Sequence, residues 1–99
     1  MTLPAKFRKV AERDLIAAQR WYEDEQPGLG SRFRSFVEEA VERVRLDPER
    51  YPYANPRFRR ILLRRPFRYT LYYSIEPDRI VFVACLHEKR NLEAILDHR

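Results

Sequence analysis

The sequence predicts an α+β fold in which an antiparallel helical hairpin covers one face of a three- to four-stranded antiparallel sheet. Two long segments in the first half carry apolar residues at helical spacing, and three short segments in the second half are rich in β-branched and aromatic residues. The links between these segments are short, which favours antiparallel neighbours. A chain of 99 residues holds one modest core, so we expect residues 1–99 to form a single domain.

The first half of the chain predicts the two helices of the hairpin. Residues 6–10 fit either a short strand or the lead into the first helix, which we expect over residues 10–25. Its apolar stripe consists of Ala11, Leu15, Ala18 and Tyr22. A break at residues 27–28 separates it from a second helix over residues 29–46. Pro48 ends that helix, because a residue before proline is disfavoured in the helical region.

The second half predicts a strand meander after a proline-rich loop. The strands are expected over residues 58–63, 67–75 and 80–86, and the last is apolar on both faces, which indicates a central strand. The middle strand alternates, so we expect its two faces to hold different sets. The set facing the helices is Phe67, Tyr69, Leu71, Tyr73 and Ile75, and the outward set is Arg68, Thr70, Tyr72 and Ser74. That outward face is expected to be partly bare, with one short helical turn at the C-terminal end.

Charge is distributed unevenly along the chain. Residues 10–49 carry ten acids and six bases, whereas residues 50–73 carry seven arginines and no acid. Such polarity predicts one face suited to an anionic partner. Arginine outnumbers lysine 17 to 3, and its planar guanidinium suits phosphate and carboxylate contacts. A GC-rich genome is an alternative explanation for part of that bias.

Several classes of function are excluded by missing patterns. The sequence has no Gly-rich phosphate loop, no His or Cys spacing typical of a metal site and no serine-nucleophile arrangement, so we expect no cofactor and no metal. The lone Cys85 is interpreted as a small core residue. No apolar run approaches the ~20 residues of a membrane span, and no signal peptide is visible, so a cytoplasmic protein is expected.

The remaining candidate site is the basic, aromatic sheet. For RNA cleavage without a metal, we expect phosphate contacts from Arg60, Arg65 and Arg68, charge stabilisation from Lys89 and Arg90, and proton transfer from His87 or Tyr72. For binding of a partner protein, the candidates are Arg59, Arg60, Arg64, Arg68 and Arg90. Tyr69 and Tyr73 are interpreted as core residues, and the role of Tyr72 on the outward face is left open between a structural residue and a site residue.

Four motifs together resemble the RelE/ParE-type toxins of bacterial type II toxin–antitoxin modules. They are "AERDLIAAQRWYEDEQPGLGSRF" (residues 11–33), "LDPERYP" (46–52), "RRILLRRPFRYTLYYSI" (59–75) and "ACLHEKR" (84–90). The resemblance covers nearly the whole chain and implies a helical hairpin on an antiparallel sheet. It also implies a cognate antitoxin whose acidic or amphipathic C-terminal segment wraps the toxin.

The resemblance leaves two targets and one inactive alternative. ParE-like members inhibit DNA gyrase, and RelE-like members cleave mRNA in the ribosomal A site. The "WYE…PGLG" hairpin is more similar to the ParE-like branch, so gyrase inhibition is the favoured expectation, while the basic sheet and "HEKR" keep RNA cleavage open. A non-toxic binding member of the family is the third possibility. Leu92 and Ile95 stand where many members carry a proline and then an aromatic residue.

Overall fold

The computed structural model describes residues 2–99 and confirms the predicted α+β class. The elements are β1 (Ala5–Phe7), α1 (Lys9–Glu25), α2 (Leu29–Leu46), β2 (Arg59–Leu62), β3 (Tyr69–Ile75), β4 (Ile80–His87) and α3 (Leu92–Leu96). The sheet order is β1-β4-β3-β2, and β4 is central as expected. The pairs formed by β2, β3 and β4 are antiparallel, whereas β1 runs parallel to β4. Within residues 2–99, no helix is both long and apolar enough to cross a membrane.

The turn between α1 and α2 depends on one glutamate and two glycines. Gly28 has a φ of 90°, a left-handed conformation that strains other residues. The Glu23 carboxylate of α1 accepts from Gly28 N (3.0 Å) and Gly30 N (3.1 Å), so it partners free amides at the start of α2. A Cβ on Gly30 would lie 2.7 Å from the Gln19 carbonyl oxygen, so glycine permits the two helices to approach closely.

The main core lies between the hairpin and the sheet, on the face that the alternation of β3 predicts. Phe67, Leu71 and Tyr73 are buried there, and Tyr22 of α1 packs edge-on against Phe67 and Tyr69. The Tyr73 hydroxyl donates a 2.6 Å hydrogen bond to the Pro48 carbonyl, which ties the proline loop to the sheet. The assignment of Tyr73 to the core is therefore confirmed, and Tyr69 is half-buried in the same aromatic cluster.

A second, smaller core covers part of the opposite face, which the sequence led us to expect partly bare. Leu92, Ile95 and Leu96 of α3 pack over Tyr72 together with Phe58. Tyr72 does lie on the outward face of β3, but it is only 1% exposed. The alternation of β3 predicted the face of Tyr72. Its burial was not predicted, because the residues that cover it lie in segments distant in sequence.

Asp14 of α1 contacts the sheet and the C-terminal residue. Its carboxylate accepts from Cys85 N at 3.0 Å and forms two bonds with the Arg99 guanidinium, at 2.7 and 3.2 Å. Arg99 also donates to the Val83 carbonyl at 2.9 Å. Because pairing with β1 stops at Phe82, these contacts occupy the edge of β4 that no strand covers.

We expect substitution of Tyr73 by Phe to lower the free energy of unfolding by about 1 kcal/mol at neutral pH, because the Pro48 carbonyl loses its donor. Burial raises the pKa of Tyr73 from 10.0 to about 12. The neutral phenol therefore stabilises the fold fully below pH 10, and this contribution is lost as pH rises towards 12. The variant should lose less stability in that window, by up to about 1.4 kcal/mol per pH unit.

Urea unfolding of both proteins, from neutral pH to about pH 11, measures these quantities. Equal pH slopes for the two proteins would contradict the assignment of a buried, neutral Tyr73 phenol.

Candidate functional site

The pairing register of β2 and β3 decides which basic residues lie away from the hairpin. Arg60 stands opposite Tyr72 and Leu62 stands opposite Thr70. Residues directly opposite in an antiparallel pair project to the same face, so these four side chains share the open face of the sheet. Arg60 is exposed and Leu62 is 57% exposed.

An open groove of about 290 Å³ occupies this face, and we call it the basic groove. Its charged residues are Arg60, Arg65, Arg68 and Glu88. Thr70, Tyr72 and Leu92 also line the groove. Three arginines against one glutamate leave the groove a net charge of +2. It gathers four of the seven residues that the sequence nominated for catalysis: Arg60, Arg65, Arg68 and Tyr72.

Some charged side chains of the groove already form an ion pair, and others do not. Arg68 Nη1 lies 2.7 Å from Glu88 Oε1, and the guanidinium hydrogen bond lowers the pKa of Glu88. Both side chains are about half exposed, so the pair is weak and open to exchange with other ions. Among residues 2–99, no carboxylate lies within ion-pair distance of Arg60 or Arg65. Two guanidinium groups therefore remain free to bind an anion.

Tyr72 is a poor proton-transfer group in this position. Burial raises the pKa of its phenol, although a hydrogen bond with Thr70 and the charge of Arg60 act in the opposite direction. The phenol is therefore neutral at physiological pH, and a side chain that is 1% exposed offers little access to a substrate.

The other three catalytic candidates lie outside the basic groove. His87 stands opposite Tyr69 on the hairpin side of the sheet, with the two rings 5.2 Å apart and edge-on. Its Nδ1 accepts from Lys89 N at 3.1 Å. Lys89 and Arg90 are exposed after β4, and Arg90 lines a different cavity of about 330 Å³ that it shares with Trp21.

Two of the candidates for partner binding also lie elsewhere. The Arg59 guanidinium donates to the carbonyls of Glu49 (2.9 Å) and Tyr51 (2.7 Å), and it stacks 4.2 Å over the Tyr53 ring. It holds the proline loop rather than facing solvent. Arg64 is exposed but pairs with Glu39 of α2 at 2.8 Å, so it lies at the edge that faces the helices.

Sequence reasoning missed three notable residues. Glu88 was not nominated as a site residue, although it supplies the acid of the basic groove. Leu62 was not assigned to either face, and the β2 register turns it to the open face. Trp21 was not named as a site residue, and it is 57% exposed. Of these, only Leu62 had a signal in the sequence, since strand alternation opposes it to its buried neighbour Ile61.

Comparison with known proteins agrees with this architecture. Residues 5–92 match the family model described as the ParE toxin of the type II toxin–antitoxin system parDE. Among curated proteins, none matches the sequence.

Among solved structures, one from a chromosomal ParDE system of P. aeruginosa is similar, with a TM-score of 0.76 and 17% identity over 87% of this chain and 96% of the other. A chain of the RelB–RelE antitoxin–toxin complex of Methanococcus jannaschii aligns with a TM-score of 0.45 and 21% identity, over 93% of this chain and 95% of the other. The P. aeruginosa likeness supports the fold, and the family model covers most of the chain. The protein therefore belongs to the ParE toxin family of type II toxin–antitoxin systems.

Proposed function

We propose that this toxin inhibits DNA gyrase by direct contact and that a cognate antitoxin neutralises it. Membership of the ParE family supports the choice of gyrase over the ribosome. The observation that carries the choice is the composition of the basic groove, which has arginines for binding but lacks an accessible pair of proton-transfer groups.

Cleavage of RNA without a metal needs one group to take a proton and another to give one. Arginines stay protonated in proteins, so Arg60 and Arg65 serve as binding groups and not as bases. Glu88 is held by Arg68 with its pKa lowered, which makes it a weaker base, and Tyr72 is buried. His87, whose imidazole suits proton transfer near neutral pH, lies on the opposite face. This arrangement favours a binding surface over a nuclease site.

The antitoxin part of the proposal has a physical basis in charge. The basic groove has a net charge of +2 and adjoins β2, the edge strand of the sheet. Carboxylates of an acidic segment complement such a surface. The similar P. aeruginosa chain comes from a ParDE toxin–antitoxin system, which supports a partner of this kind.

Purified gyrase provides the first test. We expect the protein to inhibit ATP-dependent supercoiling of relaxed plasmid, and equimolar cognate antitoxin to restore it. Relaxation of the supercoiled form of this plasmid by a type I topoisomerase should be unaffected, which controls for a general effect on DNA. Undiminished supercoiling in the presence of excess toxin, with A-site cleavage of mRNA on translating ribosomes, would instead support the RelE-like alternative.

Replacement of His87 by Gln tests whether the histidine is catalytic. Since its ring packs against Tyr69 on the hairpin side, we expect growth inhibition after induction to change by less than about twofold. A loss of about a hundredfold, typical of a removed general acid or base, would favour nuclease chemistry. Circular dichroism and thermal unfolding of the variant check that the fold is retained.

A further inference from the structure

The free arginines of the basic groove suit a second type of partner besides an acidic protein segment. We propose that the groove binds the backbone phosphates of duplex DNA. This inference rests on the proposed function, because gyrase acts on DNA and a toxin bound to it meets DNA there. It assigns the toxin a direct contact with the nucleic acid as well as with the enzyme.

Two arginines of the basic groove remain available to bind phosphate. Residues 50–73 hold seven arginines and no acid, but two of them serve the fold. Arg57 donates to the Leu96 carbonyl at 2.7 Å, and Arg59 holds the proline loop. Arg60 and Arg65 lack an ion-pair partner within residues 2–99 and line one groove. Planar guanidinium groups of this kind bind phosphate oxygens in pairs of hydrogen bonds.

Arg68 already pairs with Glu88, but a phosphate can replace that carboxylate as its partner. Its pair with Glu88 is exposed to solvent, and such pairs are weak. A phosphate placed between Arg60 and Arg65 would offer Arg68 a second anion in the same groove. Glu88 therefore limits how strongly the groove attracts phosphate, and removal of its charge should strengthen binding.

The aromatic rings of the groove favour duplex over single-stranded nucleic acid as its partner. Proteins that hold single strands stack unpaired bases on exposed aromatic rings. The aromatic residues of the groove are Phe67, Tyr69 and Tyr72; the first and last are buried and Tyr69 packs into the hairpin cluster. With charge but no open ring among its described lining residues, the groove suits a backbone whose bases are already paired.

Fluorescence anisotropy with a labelled random-sequence duplex tests this proposal in the absence of gyrase. We expect weak binding by the full-length protein, with a dissociation constant on the order of 10⁻⁶ to 10⁻⁴ M, that depends on salt. Each phosphate contact contributes ~0.9 to the slope of log K against log salt, so Arg60 and Arg65 predict a slope of about −1.8. A single strand of equal length should bind no more tightly.

Three variants sharpen the test. The double variant Arg60→Glu/Arg65→Glu should weaken duplex binding by about tenfold or more and flatten the salt slope. Glu88→Gln should tighten binding and steepen the slope towards about −2.7, because Arg68 is released. Arg20→Glu, an equal change of charge per site on the exposed side of α1, should leave the slope unchanged.

Several results would overturn the proposal: no binding at low salt, equal weakening by Arg20→Glu, or no gain from Glu88→Gln. Tighter binding of a single strand than of the duplex would also refute it. Supercoiling inhibition by the wild type is scored separately. Inhibition without duplex binding refutes only this inference, whereas duplex binding without inhibition refutes the proposed function.

Discussion

Alternation along β2 and β3 lets a single sheet hold the core together and present charge. Because successive side chains in a strand point to opposite faces, Ile61, Leu71 and Tyr73 bury against the hairpin while Arg60 stays in solvent. A slip of one residue in this register would bury the arginine and expose the core. Burial of an unpaired guanidinium is strongly unfavourable, so the position of Arg60 and the position of the core are fixed together.

The basic groove depends on that register and also on segments distant in sequence. The small helix α3 and Phe58 cover Tyr72, which removes its phenol from solvent. Asp14 and Arg99 hold the uncovered edge of β4, so the end of the chain after α3 stays tied to α1. The same packing that completes the sheet therefore buries one of the two candidate proton-transfer groups and leaves Arg60, Arg65 and Arg68 exposed.

Local patterns predicted most of the fold, and tertiary contacts explain what they missed. The bounds of α1 and α2 follow from apolar periodicity and from the prolines and glycines that end it, so they agree with the structure to within a residue. The parallel pairing of β1 joins residues more than 70 positions apart, which no local pattern encodes. Asp14 shows the same limit, since its partner Arg99 lies 85 residues away.

The sequence predicted the positive charge of the candidate site better than it predicted which residues form the site. The acid-free segment predicted an anionic partner, and the structure brings Arg60, Arg65 and Arg68 of that segment into one groove. The composition of the segment did not distinguish Arg59 from the exposed arginines. The Arg59 guanidinium donates to loop carbonyls, and composition does not show which side chains bind the backbone. His87 was grouped with the arginines by closeness in sequence, although strand pairing places it on the other face.

The two proposals together, inhibition of gyrase and a contact between the basic groove and DNA, require Arg60 and Arg65 for full inhibition. The most direct measurement is the dose of toxin that halves supercoiling, compared for wild type, Arg60→Glu/Arg65→Glu and Arg20→Glu. The account predicts that the groove variant needs about tenfold more protein, while the α1 variant matches wild type. Equal doses for all three proteins, each shown to be folded, would contradict it.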